Sequence, residues 1–334
     1  VPTISVAMCT YGGARWARDQ VRSILEQDVV PDELVVSDDA SPDDTLEIIE
    51  HEVALVGGRT RLRILRNPEP LGVVANFQQA LLATVGDVVA LSDQDDVWRS
   101  GRLARALAVL ERRPDVGLTF GDARIIDGNG KPTGTTLFEM LRIERGERAS
   151  VEAGRGLEAL LRRSLVTGAT VLMRREVVER AVPFPIDWVH DEWLAVVAAL
   201  TSGVAIVPGE LIDYRLHGGN QIGVSKFTPR TVLMRLTEPR RERNRRMASQ
   251  WTELETRLPA LGEAVPAAEA ALVRRKAQHE RFRAGLADDR LGRLGPVLAR
   301  ARFGDYSRFS RGAQDVLRDL VQPVGPEPND AARQ

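Results

Sequence analysis

The chain has 334 residues, 46 Lys+Arg against 47 Asp+Glu, 43% hydrophobic residues, four histidines and one cysteine, Cys9. This is a globular composition. It excludes a disulfide framework and a cysteine-based zinc site, leaves little room for a multi-histidine metal centre, and offers no apolar run near the roughly 18–20 residues needed to span a bilayer. The charge is uneven: residues 1–225 carry 24 bases and 33 acids, and residues 226–334 carry 22 and 14, so an acidic body precedes an arginine-rich tail. The length predicts two domains, 1–225 and 226–334. The opening Val1-Pro2-Thr3-Ile4-Ser5 has neither the basic stretch nor the apolar run of a signal peptide, so the expectation is a soluble, cytoplasmic protein. In chain order, residues 4–8 read as a strand, 14–25 as a helix, 33–37 as a strand and 43–56 as a helix. Ser41-Pro42-Asp43-Asp44 forms the start of that second helix, with a capping serine, proline at the first position and acids in the first turn. Strands at 61–65, 87–91 and 116–126 alternate with helices at 73–84 and 101–112. The turn Asp127-Gly128-Asn129-Gly130 closes the series. Such alternation argues for an α/β fold with a mainly parallel sheet flanked by helices. Residues 132–150 read as a loop and 151–163 as a helix. A strand at 167–173, an amphipathic helix at 191–200 and short strands at 204–207 and 211–216 follow. From residue 229 only helical patterning remains, over 229–257, 267–287, 290–303 and 308–321. Joints are expected at Pro259, Gly262, Pro266, Gly292, Gly295 and Pro296.

Open parallel sheets bind ligands at the carboxyl ends of their strands. Thr10-Tyr11-Gly12-Gly13 follows the first strand, Asp38-Asp39 the second, and Asp93-Gln94-Asp95-Asp96 the fourth. Five carboxylates in one crevice repel one another unless a cation or hydrogen-bond donors compensate them. Asp93 and Asp95 lie two apart on an extended segment, so both face one way and suit a hard cation, Mn2+ or Mg2+. The alternative for this segment is a solvated turn. No G-x-G-x-x-G follows the first strand and no G-x-x-x-x-G-K-[ST] occurs, which argues against a dinucleotide dehydrogenase and a P-loop enzyme. Thr10, Tyr11, Asp39 and Asp93 are the expected nucleotide contacts, with Asp39 accepting from a pyrimidine N–H or a ribose hydroxyl. Turn and cap chemistry is the other reading of Asp38-Asp39.

Four segments together resemble the family 2 glycosyltransferases of the GT-A fold. They are the opening ISVAMCTYGGARWARDQVRSILEQDVVPDELVVSDDASPDDT, the segment LSDQDDVWRSGRL, His190-Asp191-Glu192-Trp193, and Asp213-Tyr214-Arg215-Leu216-His217-Gly218-Gly219-Asn220. The last is similar to the rhamnosyltransferase-like members, and the resemblance covers about residues 3–225. It implies a GT-A nucleotide-binding domain followed by an all-α region. It also implies an inverting, metal-dependent transfer from a UDP- or dTDP-sugar, with a lean toward dTDP-rhamnose, onto a glycan or lipid-linked hydroxyl. Residue by residue, the resemblance places Thr10 and Asp39 on the nucleobase and Asp93 and Asp95 at the metal segment, with Asp95 on the metal. Asp191 becomes the general base, and His217 a further metal ligand. His190 stands where the family has a glutamate, and Glu192 is a rival base. A helix N-terminal charge is the structural reading of Asp191, and a buried structural histidine that of His217. Two other functions use similar residues: a nucleotidyltransferase, and a catalytically silent sugar-nucleotide-binding scaffold. The acidic body argues against nucleic-acid binding.

The tail gathers Arg230, Arg235, Arg240, Arg241, Arg243, Arg245 and Arg246, then Arg274, Arg275, Lys276, Arg281 and Arg283. Val232, Leu233, Leu236, Leu272, Val273 and Phe282 are interleaved with them. The favoured expectation is that these apolar faces pack, on the catalytic domain or in a homodimer. The competing one is peripheral contact with the inner face of a membrane.

Overall fold

The computed structural model describes residues 2–56, 58–218 and 239–325. The chain divides into two compact units, 1–156 with 165–224, and 157–164 with 225–334.

The first unit holds the sheet. Its strands are β1 (Ile4–Thr10), β2 (Glu33–Asp38), β3 (Arg61–Arg66), β4 (Val88–Ser92), β5 (Val97–Trp98), β6 (Leu118–Asp127), β7 (Pro132–Thr136), β8 (Leu172–Arg174) and β9 (Val204–Leu216). They run in the order β3-β2-β1-β4-β8-β6-β9-β5, with β7 added to β6. The pairings β3-β2, β2-β1 and β1-β4 are parallel, as the strand–helix alternation dictates. Beyond β4 the sheet is mixed: β8 is antiparallel to β4 and β6, β6 is parallel to β9, and β5 is antiparallel to β9. Continuous apolar runs fit strands covered on both faces. Thus β1 and β2 are almost wholly buried, and Val6, Met8, Leu34, Val36, Val88 and Ala90 meet Val21, Ile24, Ile49, Leu103 and Leu110 in one core. Each fully buried aliphatic side chain contributes about 1.5–3 kcal/mol.

The flanking helices are α1 (Ala17–Leu25), α2 (Thr45–Val56), α3 (Val73–Ala83), α4 (Arg102–Arg112), α5 (Leu137–Met140) and α6 (Arg145–Glu152). After α7 (Gly156–Leu160) come α8 (Arg175–Ala181) and α9 (His190–Thr201). Residues 132–150 are therefore not a loop: β7 pairs with β6, and Thr136 with Glu139 forms a capping box that starts α5. Residues 168–170 form a 3-10 turn rather than strand. The two short strands expected at 204–207 and 211–216 are one strand, β9, running through Pro208-Gly209 with a register shift opposite Asp122. Pairing with β6 along its whole length outweighs the local turn signal of Pro-Gly.

The second unit contains α10 (Arg240–Leu261), α11 (Ala267–Ala284), α12 (Arg290–Arg302), α13 (Asp305–Phe309) and α14 (Ala313–Val321). Pro259 and the Gly295-Pro296 pair do not break their helices. Burial of Leu258 and Val297 offsets propensity costs of about 1 kcal/mol for glycine and 3 for proline. Gly312, at φ 60°, separates α13 and α14 where the sequence suggests one helix. The interior of this unit is polar. Arg283 donates to Asp319 at 2.7 Å, Tyr306 donates its hydroxyl to the same carboxylate at 2.8 Å, and Lys276 donates to the Phe309 carbonyl at 2.6 Å. Arg240 is buried and donates to the carbonyls of Leu286 and Ala287. Val273, Lys276 and Arg283 of the second basic cluster are likewise interior. The cluster members at 230 and 235, with Val232, Leu233 and Leu236, lie outside the described residues.

Candidate active site

The site forms where β2, β1 and β4 lie side by side and end together. Thr10 closes β1, and its buried hydroxyl donates to Asp38 Oδ1 at 2.6 Å. Asp38 Oδ2 accepts from the Ser41 amide at 2.9 Å, so Asp38 ties the two strand ends together. Asp39 is held by the next loop: Oδ1 accepts from the Leu71 amide at 2.6 Å and Oδ2 from the Gly72 amide at 3.0 Å. Oδ1 also accepts from Asn67 Nδ2 at 3.3 Å, so Oδ2 is the oxygen that retains lone-pair capacity for a ligand. Ala40, with φ 63°, sits in the left-handed region at this turn, a conformation that costs a non-glycine residue about 1–2 kcal/mol.

The loop after β1 approaches the acidic segment after β4 closely. Gln94 Oε1 accepts from the Tyr11 amide at 2.8 Å, and Gln94 Nε2 donates to the Tyr11 carbonyl at 2.9 Å. A Cβ at Gly13 would lie 2.3 Å from Gln94 Oε1, so glycine is what lets the two loops meet. The Tyr11 ring is exposed beside this clamp.

Asp93, Asp95 and Asp96 have different environments. Burial, with the charges of Asp95 and Asp191, pushes the Asp93 carboxyl up to about 7. Among the described residues its carboxylate accepts no hydrogen bond. Asp95 Oδ2 lies 2.7 Å from His217 Nε2. The His217 ring stacks on Trp16, with centroids 4.1 Å apart. Asp96 turns inward: Oδ1 accepts from the Arg215 amide at 2.9 Å, and Oδ2 is buried without a partner. Burial and the charges of Asp95 and Asp93 hold its carboxyl well above the usual range. Arg215 Nε donates to the Asp95 carbonyl at 2.7 Å, and buried Arg102 donates to the Leu91 carbonyl at 3.1 Å. Burial lowers the Arg102 pKa to about 9 while Asp96 and Asp93 oppose the shift, so it stays charged at neutral pH.

Asp191 occupies the first turn of α9. Its Oδ2 accepts from the Gly168 amide at 2.8 Å and its Oδ1 from the Glu192 amide at 2.8 Å. These two bonds hold Asp191 in the first turn of the helix, and its charge contributes to raising Asp93 and Tyr214. His190 is buried, stacks on Phe77 at 3.9 Å, and burial lowers its pKa.

These residues suit a divalent cation. The carboxylate–imidazole pair of Asp95 and His217 and the unbonded carboxylate of Asp93 are rich in acceptors, while Asp96 is turned to the Arg215 amide and Arg102 partly offsets the charge of Asp93 and Asp96. Among the described residues no three His, Cys, Asp or Glu side chains converge on one ion. The protein side of such a site is therefore sparse, which suits Mg2+ or Mn2+ completed by water and substrate phosphates. The sequence offers no signal for Trp16 as the platform for His217. The same holds for Gln94, which occupies the middle position of the acidic motif yet clamps the opposite loop.

The profile of glycosyl transferase family 2 matches residues 5–180, which include the ends of β1, β2 and β4. The uncharacterized protein Mb1547 of Mycobacterium bovis is 29% identical over 232 residues, covering 68% of this chain and 62% of that protein. The chain thus spans less than two thirds of that relative. The dTDP-rhamnosyl transferase RfbG of Shigella flexneri is 32% identical over 107 residues, covering 31% of this chain and 36% of that one. Among solved structures, TarS 1-349 of S. aureus, in complex with UDP-GlcNAc, superposes with a TM-score of 0.53 at 18% identity, covering 94% of this chain and 90% of that one. This likeness establishes the fold: a GT-A sheet with a helical C-terminal region. With the family profile spanning more than half of the chain, the protein belongs to glycosyl transferase family 2.

Proposed function

We propose that the chain transfers a sugar from a UDP- or dTDP-sugar, with dTDP-rhamnose favoured, to a hydroxyl of a glycan or lipid-linked acceptor, with inversion and in dependence on Mn2+ or Mg2+. The observation that supports this reading is the Asp95–His217 pair beside Asp93, a carboxyl that the charges of Asp95 and Asp191 both raise. Partial likeness to RfbG supports the rhamnosyl donor. Thr10, Tyr11 and Asp39 hold the nucleobase and ribose. Asp93 orients the nucleotide, and Asp93, Asp95 and His217 are the residues that would hold the cation, although the three do not converge on one point in this structure. A divalent cation there would neutralise charge developing on the leaving diphosphate. Asp191 accepts the proton of the acceptor hydroxyl as that oxygen attacks the anomeric carbon and the carbon–phosphate oxygen bond breaks, so one displacement inverts the centre. The two amides on Asp191 fix its orientation and leave lone pairs for that proton. In this reading the enzyme works in the cytoplasm.

A thermal-shift panel with UDP, dTDP and GDP, each with and without Mn2+, tests the reading, because stabilisation by a ligand grows with the logarithm of its concentration over its dissociation constant. Stabilisation by dTDP or UDP only when Mn2+ is present is the expected result. No shift with any nucleotide, or equal shifts without metal, overturns it. Nucleotide binding without transfer or donor hydrolysis would favour the silent scaffold.

A further inference from the structure

We infer that the outer face of α12 in the helical unit docks on an anionic lipid surface. This inference stands apart from the catalytic reading. The basic clusters of α10 and α11, for which membrane contact is the competing expectation, are divided. Arg240, Lys276 and Arg283 are buried and donate to carbonyls or carboxylates, while Arg245, Arg246, Arg274, Arg275 and Arg281 are exposed. The exposed large apolar side chains of this unit gather on α12, with Leu317 and Val321 on α14. Leu291, Leu294 and Leu298 stand at positions i, i+3 and i+7 and are 85%, 45% and 49% exposed. Phe303, just past the end of the helix, is 81% exposed. Val297 and Arg293 are buried on the opposite side, so α12 uses one face for the unit and presents the other, equally apolar, to solvent.

The charge around this stripe selects the partner. Arg290, Arg293, Arg300 and Arg302 lie within α12, which contains no acid. Arg290 and Arg302 are exposed. The two acids immediately before the helix are engaged: Asp289 caps it by accepting from the Gly292 amide at 2.6 Å, and Asp288 pairs with Arg241 at 2.9 Å. An exposed helix with leucines on one face, flanking arginines and no free acid lies in the interface of a lipid leaflet, its apolar face inserted and its cations on the headgroups. A second copy of this chain would instead bring the arginines of two α12 helices together. Basic residues near an anionic leaflet add electrostatic attraction, and buried apolar area adds to it.

Co-sedimentation of the full chain with vesicles tests the inference. Vesicles of phosphatidylcholine alone are compared with vesicles carrying about 30% phosphatidylglycerol. The expected result is binding to the anionic vesicles only, lost at about 0.5 M salt. The triple variant L291Q/L298Q/F303Q should lower partitioning about tenfold or more, and R290Q/R302Q should weaken the salt dependence. The three apolar side chains are exposed, so the triple variant should keep the wild-type melting profile; Arg290 also donates to the Val321 carbonyl at 2.9 Å, so R302Q alone serves as the charge variant free of that bond. Unchanged nucleotide binding by calorimetry separates this result from any failure of the catalytic reading. Absence of binding to both vesicles overturns the inference, as does binding that the triple variant leaves intact. A dimer in solution that the triple variant dissociates, without vesicle binding, assigns the face to a second copy and also overturns it.

Discussion

His217 Nε2 lies 2.7 Å from Asp95 Oδ2, although 122 residues separate the two in the chain. Continuous pairing of β9 with β6 carries His217 to the end of β4, and stacking on Trp16 fixes the plane of its ring. A hydrogen-bonded carboxylate–imidazole pair of this kind is preorganised for a metal ion.

Asp95→Ala should lower Mn2+-dependent affinity for dTDP or UDP by about a hundredfold, and His217→Ala by about tenfold, the range in which shell residues of metal sites act. Calorimetry with and without Mn2+ measures both. Equal affinity in wild type and Asp95→Ala would remove the metal assignment. An effect of His217→Ala on melting alone would make the histidine structural.

Asp191→Asn should leave donor binding nearly unchanged and reduce turnover by about two to four orders of magnitude, the usual contribution of a positioned general base. The asparagine still accepts from the Gly168 amide through its side-chain oxygen, so the loop is expected to keep its place. Full activity in this variant together with inactive Glu192→Gln would transfer the role to Glu192.

Gln94→Ala should destabilise the first unit by about 0.5–1.5 kcal/mol, since both main-chain groups of Tyr11 lose this partner and water replaces it. Gln94→Glu keeps the size but cannot donate to the Tyr11 carbonyl, and should recover part of the loss at most. Denaturant melts, with nucleotide affinity as a second readout, check the order wild type, Glu, Ala. Identical melts for all three would mean that the clamp contributes nothing.

The second unit should lose stability on acidification through His279. Burial first, then the charges of Arg283 and Lys276, lower its pKa from 6.5 to about 3. Below pH 6.5 the unfolded chain takes up a proton that the folded unit refuses until about pH 3. The contribution is therefore complete above 6.5 and falls through that window, by about tenfold in the folded-to-unfolded ratio per pH unit. Hydrogen exchange of the α11 amides should accelerate less on acidification in His279→Gln than in wild type. Parallel pH profiles for the two would assign the acid sensitivity to other groups.

Much of the fold is legible in local pattern, because the early strands are apolar runs that alternate with helical segments; the start signal at Ser41 is not used as a cap, since that helix begins at Thr45 and the Ser41 hydroxyl donates to Asp38. Residues 4–8, 33–37 and 87–91 read as strands and are strands, and the carboxylates that follow them fall at strand ends by chain order alone. Elements that depend on a distant partner are not legible in this way. Pro208-Gly209 reads as a break, yet pairing with β6 carries β9 through it. Residues 132–136 read as loop, and only the edge of β6 makes them a strand. The acidic cluster is visible in sequence, but which carboxylate meets His217, which is left bare and which turns inward to the Arg215 amide depends on backbone brought together from four segments.

The tail shows the same division. Its composition determined a basic, helical region, because helix periodicity and charge are written residue by residue. Whether a given arginine meets water or a buried carboxylate is decided by which helix packs over it. Tertiary structure put Arg240 and Arg283 inside and left Leu291 and Phe303 outside, since the low-dielectric interior requires partners for every charge, and only the assembled helices supply them.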